Sequence, residues 1–196
     1  MEKMEKEIEK ISEHLSKKQS EFDRVMQSSR DIIRMAGQAI TILHNGNAEQ
    51  AEKMISDIKA RVEELSRFDT QFKYNSFQAY QEYAEAAVSL SIKKHGRIPS
   101  IKEVGVDVEA YLMGLMDSVG ELKREVLESL RSGRIKDADM YFEFMEQIYD
   151  STRTIRFAEA VLNGFRKKQD TARIQIENAG SEILMFKSRE VTSKKL

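Results

Sequence analysis

The stretch YLMGLMDSVGELKREVLESLRSGR, residues 111–134, decides the fold. Its apolar residues recur every three or four positions, at Leu112, Leu115, Val119, Leu122, Val126 and Leu130. That spacing places them on one face of an α-helix, and the glycine-containing RSGR that follows is typical of a helix end. We therefore predict a helix from about Asp107 to Leu130 that buries this face.

Helical periodicity extends over the rest of the chain, and no segment reads as a strand. Ser100 and Glu103 form a capping-box pattern that predicts a short turn of helix. Further helices are predicted at about Glu2–Leu43, Ala48–Leu65, Thr70–Lys94, Asp137–Phe157 and from Phe165 onwards. No long linker or internal repeat divides the chain. The predicted fold class is all-α, a single-domain bundle of about six to seven helices over residues 1–196, with a long first helix.

The amino-acid composition limits the kinds of function that this protein can have. The chain has 196 residues, of which 33% are charged, with a net charge of −1 and no cysteine. Disulfides, thiolate zinc sites and cysteine nucleophiles are therefore excluded, and a cytoplasmic location without a membrane partner is expected. The first helix would be about 60 Å long. A compact bundle of this size cannot cover all of it, so we expect a homo-oligomer.

Four carboxylates form the main candidate site. Asp117 and Glu121 share a helix face almost opposite the apolar face. Gly114 and Gly120 lie beside that face and are interpreted as opening space for a ligand. Glu82 and Glu85 share a face of the preceding long helix. Each pair is interpreted first as part of a solvated surface. If the two helices pack as an antiparallel hairpin and the pairs converge, their oxygens would suit Mg²⁺, or alternatively Mn²⁺, and hydrolysis of a phosphodiester.

Other site types find little support. A di-iron bundle needs Glu-x-x-His motifs, yet none of the three histidines, His14, His44 and His95, has a glutamate three residues before it. Each histidine is interpreted as structural or as a surface residue. Phosphate-binding glycine loops, dinucleotide-binding turns and serine nucleophile elbows do not occur in the sequence.

Two segments, QEYAEA (81–86) and YLMGLMDSVGELKR (111–124), resemble the translin family, and within it the translin-associated factor X branch. SRDI (29–32), LH (43–44) and GSEI (180–183) add to a resemblance that covers nearly the whole chain. The resemblance implies a fold of seven helices, assembly into hollow octamers, and Mg²⁺-dependent endoribonuclease activity on RNA inside the shell. The short chain is similar to archaeal-type members, which implies a homo-octamer.

The resemblance also assigns residues. Glu82, Glu85 and Asp117 would coordinate the metal, and Glu121 would either complete its shell or hold and deprotonate the attacking water. Nucleic-acid contacts are expected from basic residues that give affinity without sequence readout, namely Arg30, Arg124, Arg166, Lys167, Lys168 and Arg173. Two alternatives stay open: Arg124 pairs with Glu121, and the basic run of residues 166–173 is simply solvated. The aromatic residues Phe72, Tyr74, Phe77 and Tyr80 are assigned to the core rather than to base stacking.

Three hypotheses for function follow. The first is a metal-dependent endoribonuclease that cleaves RNA. The second is a translin-like shell that binds single-stranded RNA or DNA without catalysis. The third is a helical scaffold with no nucleic-acid role. The set of four acids favours the first hypothesis over the second, and the family resemblance favours both over the third.

Overall fold

Seven helices and their connecting turns make up the computed structural model, which describes the backbone of residues 2–193 and the side chains of residues 2–189. The helices are α1 (Glu2–His44), α2 (Ala48–Leu65), α3 (Lys73–His95), α4 (Ile101–Val104), α5 (Val108–Arg131), α6 (Ile135–Thr152) and α7 (Phe165–Ser193). No strand occurs within this range. The predicted all-α class with about six to seven helices is therefore confirmed.

Most helix limits follow from local signals in the sequence. Ser100 and Glu103 form the predicted capping box, in which the Ser100 backbone N–H donates to Glu103 Oε2 over 2.8 Å. Gly46 follows α1 with a φ of 83°, a left-handed conformation that strongly favours glycine. The chain can therefore turn directly from α1 into α2.

Two predicted limits are wrong, each because side chains or backbone groups find other partners. α3 begins at Lys73 rather than Thr70, since the buried Asp69 carboxylate accepts hydrogen bonds from Ser76 and Tyr80 and holds the preceding segment in a turn. α6 ends at Thr152 rather than Phe157. There, the Thr152 carbonyl accepts a hydrogen bond of 2.8 Å from the Gln169 side chain of α7.

α5 lies at the centre of the bundle, where it packs against α3, α6 and α7, while α1 packs against α2 and α3. The apolar face predicted for α5 is buried apart from Leu112, which is partly exposed. It joins a core cluster with α3, α6 and α7, and a second cluster is formed by α1, α2 and α3. α3 therefore belongs to both clusters and connects the two halves of the molecule.

Gly114 marks the closest approach of α3 and α5. A Cβ atom at this position would lie 2.6 Å from the Ala84 Cβ and 2.8 Å from the Glu85 backbone nitrogen. Those distances are too short for any side chain, and the backbone of α3 cannot move aside as a flexible side chain could. Glycine is thus required here because of helix packing.

Gly114→Ala should therefore destabilise the protein by about 1–3 kcal/mol, as expected when an atom is forced into a packed core. Gly37, in the middle of α1, is the matched control because a Cβ there would meet nothing within 4 Å. Gly37→Ala should stabilise the protein by about 0.5–1 kcal/mol through helix propensity alone. Urea unfolding measures both changes, and equal shifts of the two midpoints in the same direction would disprove the close approach.

The first half of α1 extends beyond the rest of the bundle. Its apolar residues are between 49% and 69% exposed, namely Met4, Ile8, Ile11 and Leu15. Their spacing of three or four residues forms a continuous apolar stripe on the helix. Within one chain this stripe has no described neighbour to pack against, as the length of the predicted helix suggested.

Candidate active site

The crossing of α3 and α5 brings the two pairs of acids together. We call Glu82, Glu85, Asp117 and Glu121 the acidic site. All four side chains are half-buried. Burial, followed by the charges of Asp117, Glu82 and Glu121, raises the pKa of Glu85 to about 8, and Lys168 opposes this rise. The four acids therefore share one electrostatic environment.

The solvated-face interpretation is thus wrong for Asp117 and Glu121. It holds for Arg124 and Glu128, which lie further along α5 and are exposed. The glycines do not open space for a ligand either. α3 fills the space beside Gly114, and a Cβ on Gly120 would lie 3.3 Å from the Gln175 amide of α7.

Asp117 is held from two sides. Its Oδ2 accepts a hydrogen bond of 2.7 Å from the Gln81 amide of α3. Its Oδ1 forms an ion pair with the Lys168 ammonium of α7. Both oxygens are therefore engaged by partners on neighbouring helices.

Glu121 belongs to a network of charged side chains that extends to α1. Its Oε2 is hydrogen-bonded to His44 Nε2, and the other ring nitrogen of His44 lies 2.7 Å from Oε1 of Glu125. Lys93 donates to the same Glu125 oxygen over 2.7 Å and to the Leu43 carbonyl over 2.9 Å. Glu121 is thus positioned by α1 through His44, and it pairs with His44 rather than with Arg124.

The charged side chains of this network stabilise one another. Hydrogen bonds with Glu121 and then Glu125 raise the pKa of His44 above its usual value, against the effect of burial. Burial raises the pKa of Glu125, but hydrogen bonds with His44 and Lys93 outweigh it, so the pKa of Glu125 lies below its usual value. His44 therefore favours the imidazolium form, in which both ring nitrogens donate.

As arranged here, the acidic site does not surround a single point. In the part of the chain that the structure describes, no three His, Asp or Glu side chains are placed to hold a metal ion together. The physical reason lies in the contacts above, since Asp117 is engaged by Lys168 and Gln81 and Glu121 by His44. The donor chemistry nevertheless suits a hard divalent cation, because Lys168 and His44 pair with only two of the four acids.

The six basic residues predicted to bind nucleic acid lie on three helices, α1, α5 and α7. Arg30 is exposed on α1, 14 residues before His44 and thus about 21 Å along the helix axis. On α7, Arg166 and Lys167 are exposed, and Arg173 forms an ion pair of 2.8 Å with Glu177. Only Lys168 reaches the acidic site, where its partner is a carboxylate.

The aromatic residues divide into two groups. Tyr80 is buried, and Phe72 and Phe77 pack against the core as predicted. The prediction is wrong for Tyr74, which is 90% exposed. Tyr74 lies in the first turn of α3.

Sequence reasoning missed several members of the site. His44, Lys93 and Glu125 were not assigned to it, and His44 was interpreted as structural or as a surface residue. The one available signal was LH at 43–44, which counted only toward the family resemblance. No spacing rule joins His44 to Glu121 across 77 residues.

Known proteins share this helical fold, and comparison with them identifies the family of the chain. The chain belongs to the translin family, whose sequence model matches residues 2–180. An uncharacterized protein of Methanocaldococcus jannaschii is 29% identical over 187 residues, which span 92% of this chain and 82% of that protein.

Solved structures support the same conclusion. AfC3PO, both alone and in a complex with duplex RNA, matches with a TM-score of 0.85 and 26% identity, over 94% of this chain and 98% of AfC3PO. Apo-NeC3PO matches with a TM-score of 0.80 over 91% of this chain and 96% of its own, and at 24% identity it supports the fold alone. None of the described helices is both long and apolar enough to cross a membrane.

Proposed function

We propose that this chain is a Mg²⁺-dependent endoribonuclease of the translin-associated factor X branch, which cleaves RNA inside a homo-octameric shell. The observation that carries the proposal is the burial of Glu85 together with its crowding by Asp117, Glu82 and Glu121, which raise the pKa of Glu85 to about 8. Such crowding opposes folding, and strain of this kind is typical of functional sites. The chain tolerates it at the crossing of its two central helices.

The family supports RNA as the ligand. AfC3PO, which shares the fold and 26% of its residues with this chain, has been solved in a complex with duplex RNA. For this chain we propose RNA as the substrate, with single-stranded DNA as an alternative nucleic acid to be bound. Exposed Arg30, Arg124, Arg166 and Lys167 would contact phosphates, which gives affinity without sequence readout.

The acidic site can be divided by role. Glu82, Glu85 and Asp117 would hold Mg²⁺, or Mn²⁺ in its place, because they share one environment and lack enough positive partners. A bound divalent ion supplies a Lewis acid for a phosphate oxygen and lowers the pKa of water. Glu121, which His44 holds from α1, is suited to orient that water and to accept its proton.

A second candidate function is a shell that binds RNA or single-stranded DNA without cleaving it. One observation favours it: Lys168 and His44 already neutralise two of the four acids, and no metal-binding arrangement occurs among the described side chains. Under this alternative the acidic site would be a purely structural network between α1, α3, α5 and α7.

Cleavage of end-labelled RNA decides between the two. The purified chain is incubated with a single-stranded and with a duplex RNA, in Mg²⁺ or in EDTA, and binding is measured in parallel. We expect internal cleavage of at least one RNA in Mg²⁺ and none in EDTA. Binding of RNA without cleavage under either condition would refute the enzyme and support the shell.

The proposed assembly has its own test. Eight copies of the 22.6-kDa chain would have a mass of about 180 kDa in light scattering at micromolar concentration. Ile11→Asp, which places a charge on the exposed apolar stripe of α1, should reduce that mass, because a buried unpaired charge is costly at an interface. Ser12→Asp, on the neighbouring exposed position, is the matched control and should leave the mass unchanged. A monomeric wild type would contradict the proposal.

A further inference from the structure

Lys168 differs from the other basic residues at the start of α7. Arg166 and Lys167 are exposed, whereas the Lys168 side chain is 27% exposed and forms an ion pair with Oδ1 of Asp117, which is 24% exposed. The run FRKK therefore sends one lysine inward to the acidic site and leaves its neighbours in solvent. A lysine that only kept the protein soluble would place its ammonium in solvent rather than against a half-buried carboxylate.

Among the groups that shift the pKa of Glu85, the ammonium of Lys168 is the one positive charge. It lowers the pKa of Glu85, while burial and the three other carboxylates raise it. Lys168 pairs with Asp117 and His44 with Glu121, which leaves Glu82 and Glu85 without a cationic partner of their own among the described ion pairs. Lys168 occupies an oxygen of Asp117 that a divalent cation would also need.

The second oxygen of Asp117 accepts the Gln81 amide over 2.7 Å, and a divalent cation on either oxygen would lie close to the Lys168 ammonium and be repelled by its charge. A divalent cation and the Lys168 ammonium must therefore compete for the same carboxylate. Lysine suits such an exchange, since its ammonium is a compact charge on a flexible four-carbon stem. α7 packs against α5, so a displaced ammonium would stay beside the site.

We propose that Lys168 is a resident counter-cation of the acidic site, which leaves Asp117 when a divalent cation binds and then binds a phosphate of the substrate. This inference rests on the proposed function of the same site. It gives Lys168 two successive partners, first a carboxylate and then a phosphate. The exchange keeps the carboxylates partly neutralised in the metal-free protein and supplies a phosphate contact once RNA is bound.

The inference predicts effects of opposite sign in one variant. Lys168→Met keeps the aliphatic stem but removes the charge. Without the competing ammonium, this variant should bind Mn²⁺ roughly 10-fold more tightly than wild type, a typical size for coupling between two bound groups. At saturating metal its KM for RNA should rise, because the phosphate contact is lost.

The experiment measures Mn²⁺ binding by electron paramagnetic resonance on the full chain, freed of metal with EDTA and dialysed. Lys167→Met is the matched control, since it removes the same charge one residue away from an exposed side chain. Its Mn²⁺ affinity should stay within about twofold of wild type. Lys168→Gln serves as a second variant, and circular dichroism establishes that each variant is folded.

The outcomes separate this inference from the proposed function. Wild type that cleaves RNA in Mg²⁺, together with equal Mn²⁺ affinity for Lys168→Met, Lys168→Gln and Lys167→Met, would overturn the role of Lys168 and leave the enzyme intact. A rise in Mn²⁺ affinity specific to position 168, with no cleavage by any form, would refute the enzyme and keep the competition for Asp117. Tighter metal binding with an unchanged KM for RNA would overturn the phosphate contact.

Discussion

Replacing Glu85 by glutamine should make the metal-free protein more stable at pH 8, by about 2–4 kcal/mol. Burial and the neighbouring carboxylates raise the pKa of Glu85 from 4.5 to about 8. A carboxyl group whose pKa is raised by folding destabilises the folded state above its unfolded pKa. The cost begins near pH 4.5, grows by about 1.4 kcal/mol per pH unit, and is complete above pH 8.

Urea unfolding in EDTA at pH 5 and pH 8 measures this effect. Wild type should lose stability relative to Glu85→Gln as the pH rises, and the two proteins should differ little at pH 5. Glu128→Gln is the control, because it makes the same chemical change on an exposed residue of α5 and should shift stability by less than about 0.5 kcal/mol. A Glu85→Gln variant that is no more stable than wild type at pH 8 would show that burial and the neighbouring carboxylates do not raise the pKa of Glu85.

The second large effect concerns catalysis. Asp117→Asn and Glu85→Gln should each lower Mg²⁺-dependent RNA cleavage by about 100-fold or more, because an amide cannot supply the negative charge that a divalent cation requires. Loss of cleavage in Glu85→Gln would be informative for a further reason. That variant is expected to be more stable than wild type, so unfolding could not explain its inactivity.

Glu128→Gln again provides the control and should cleave RNA within about twofold of wild type. The rates are measured at saturating RNA over a range of Mg²⁺ concentrations, so that weak metal binding can be separated from a slow chemical step. Equal rates for wild type, Asp117→Asn and Glu85→Gln would remove the acidic site from the reaction.

Periodicity predicted the helices well because each of them buries a regular apolar face. The bounds of α2 follow the sequence prediction, and the capping box of Ser100 and Glu103 defines the start of α4. The errors occur where distant groups compete for the backbone or for a side chain. Asp69 delays the start of α3 by binding Ser76 and Tyr80, and Gln169 caps the early end of α6.

The acidic site was predictable only in part. A helical wheel places Asp117 and Glu121 on a polar face, but it cannot tell whether that face meets solvent or another helix. The family resemblance connected them with Glu82 and Glu85. The charged partners of Glu121 and Asp117 come from α1 and α7, at separations of 77 residues for His44 and 51 for Lys168. Such contacts depend on tertiary packing, and no local spacing rule encodes them.

Gly114 and Gly120 show the same limit. The sequence indicated that both glycines lie beside the acids, and space for a ligand was one interpretation. In the structure both glycines allow close packing instead, Gly114 against α3 and Gly120 against Gln175 of α7. Gly114 and Gly120 thus mark close approaches, whereas Gly37 in α1 has nothing within 4 Å of a Cβ, so only the fold decides what a helical glycine allows.

The central claim is that the acidic site binds a divalent cation, and a crystal structure of the full chain grown with Mn²⁺ tests it most directly. Data collected at the manganese absorption edge locate the ion without ambiguity. We expect an anomalous peak between α3 and α5, within coordination distance of Asp117 and Glu85. The Lys168 ammonium should then be displaced from Asp117. The absence of a peak there at saturating Mn²⁺, with Lys168 still paired to Asp117, would contradict this claim.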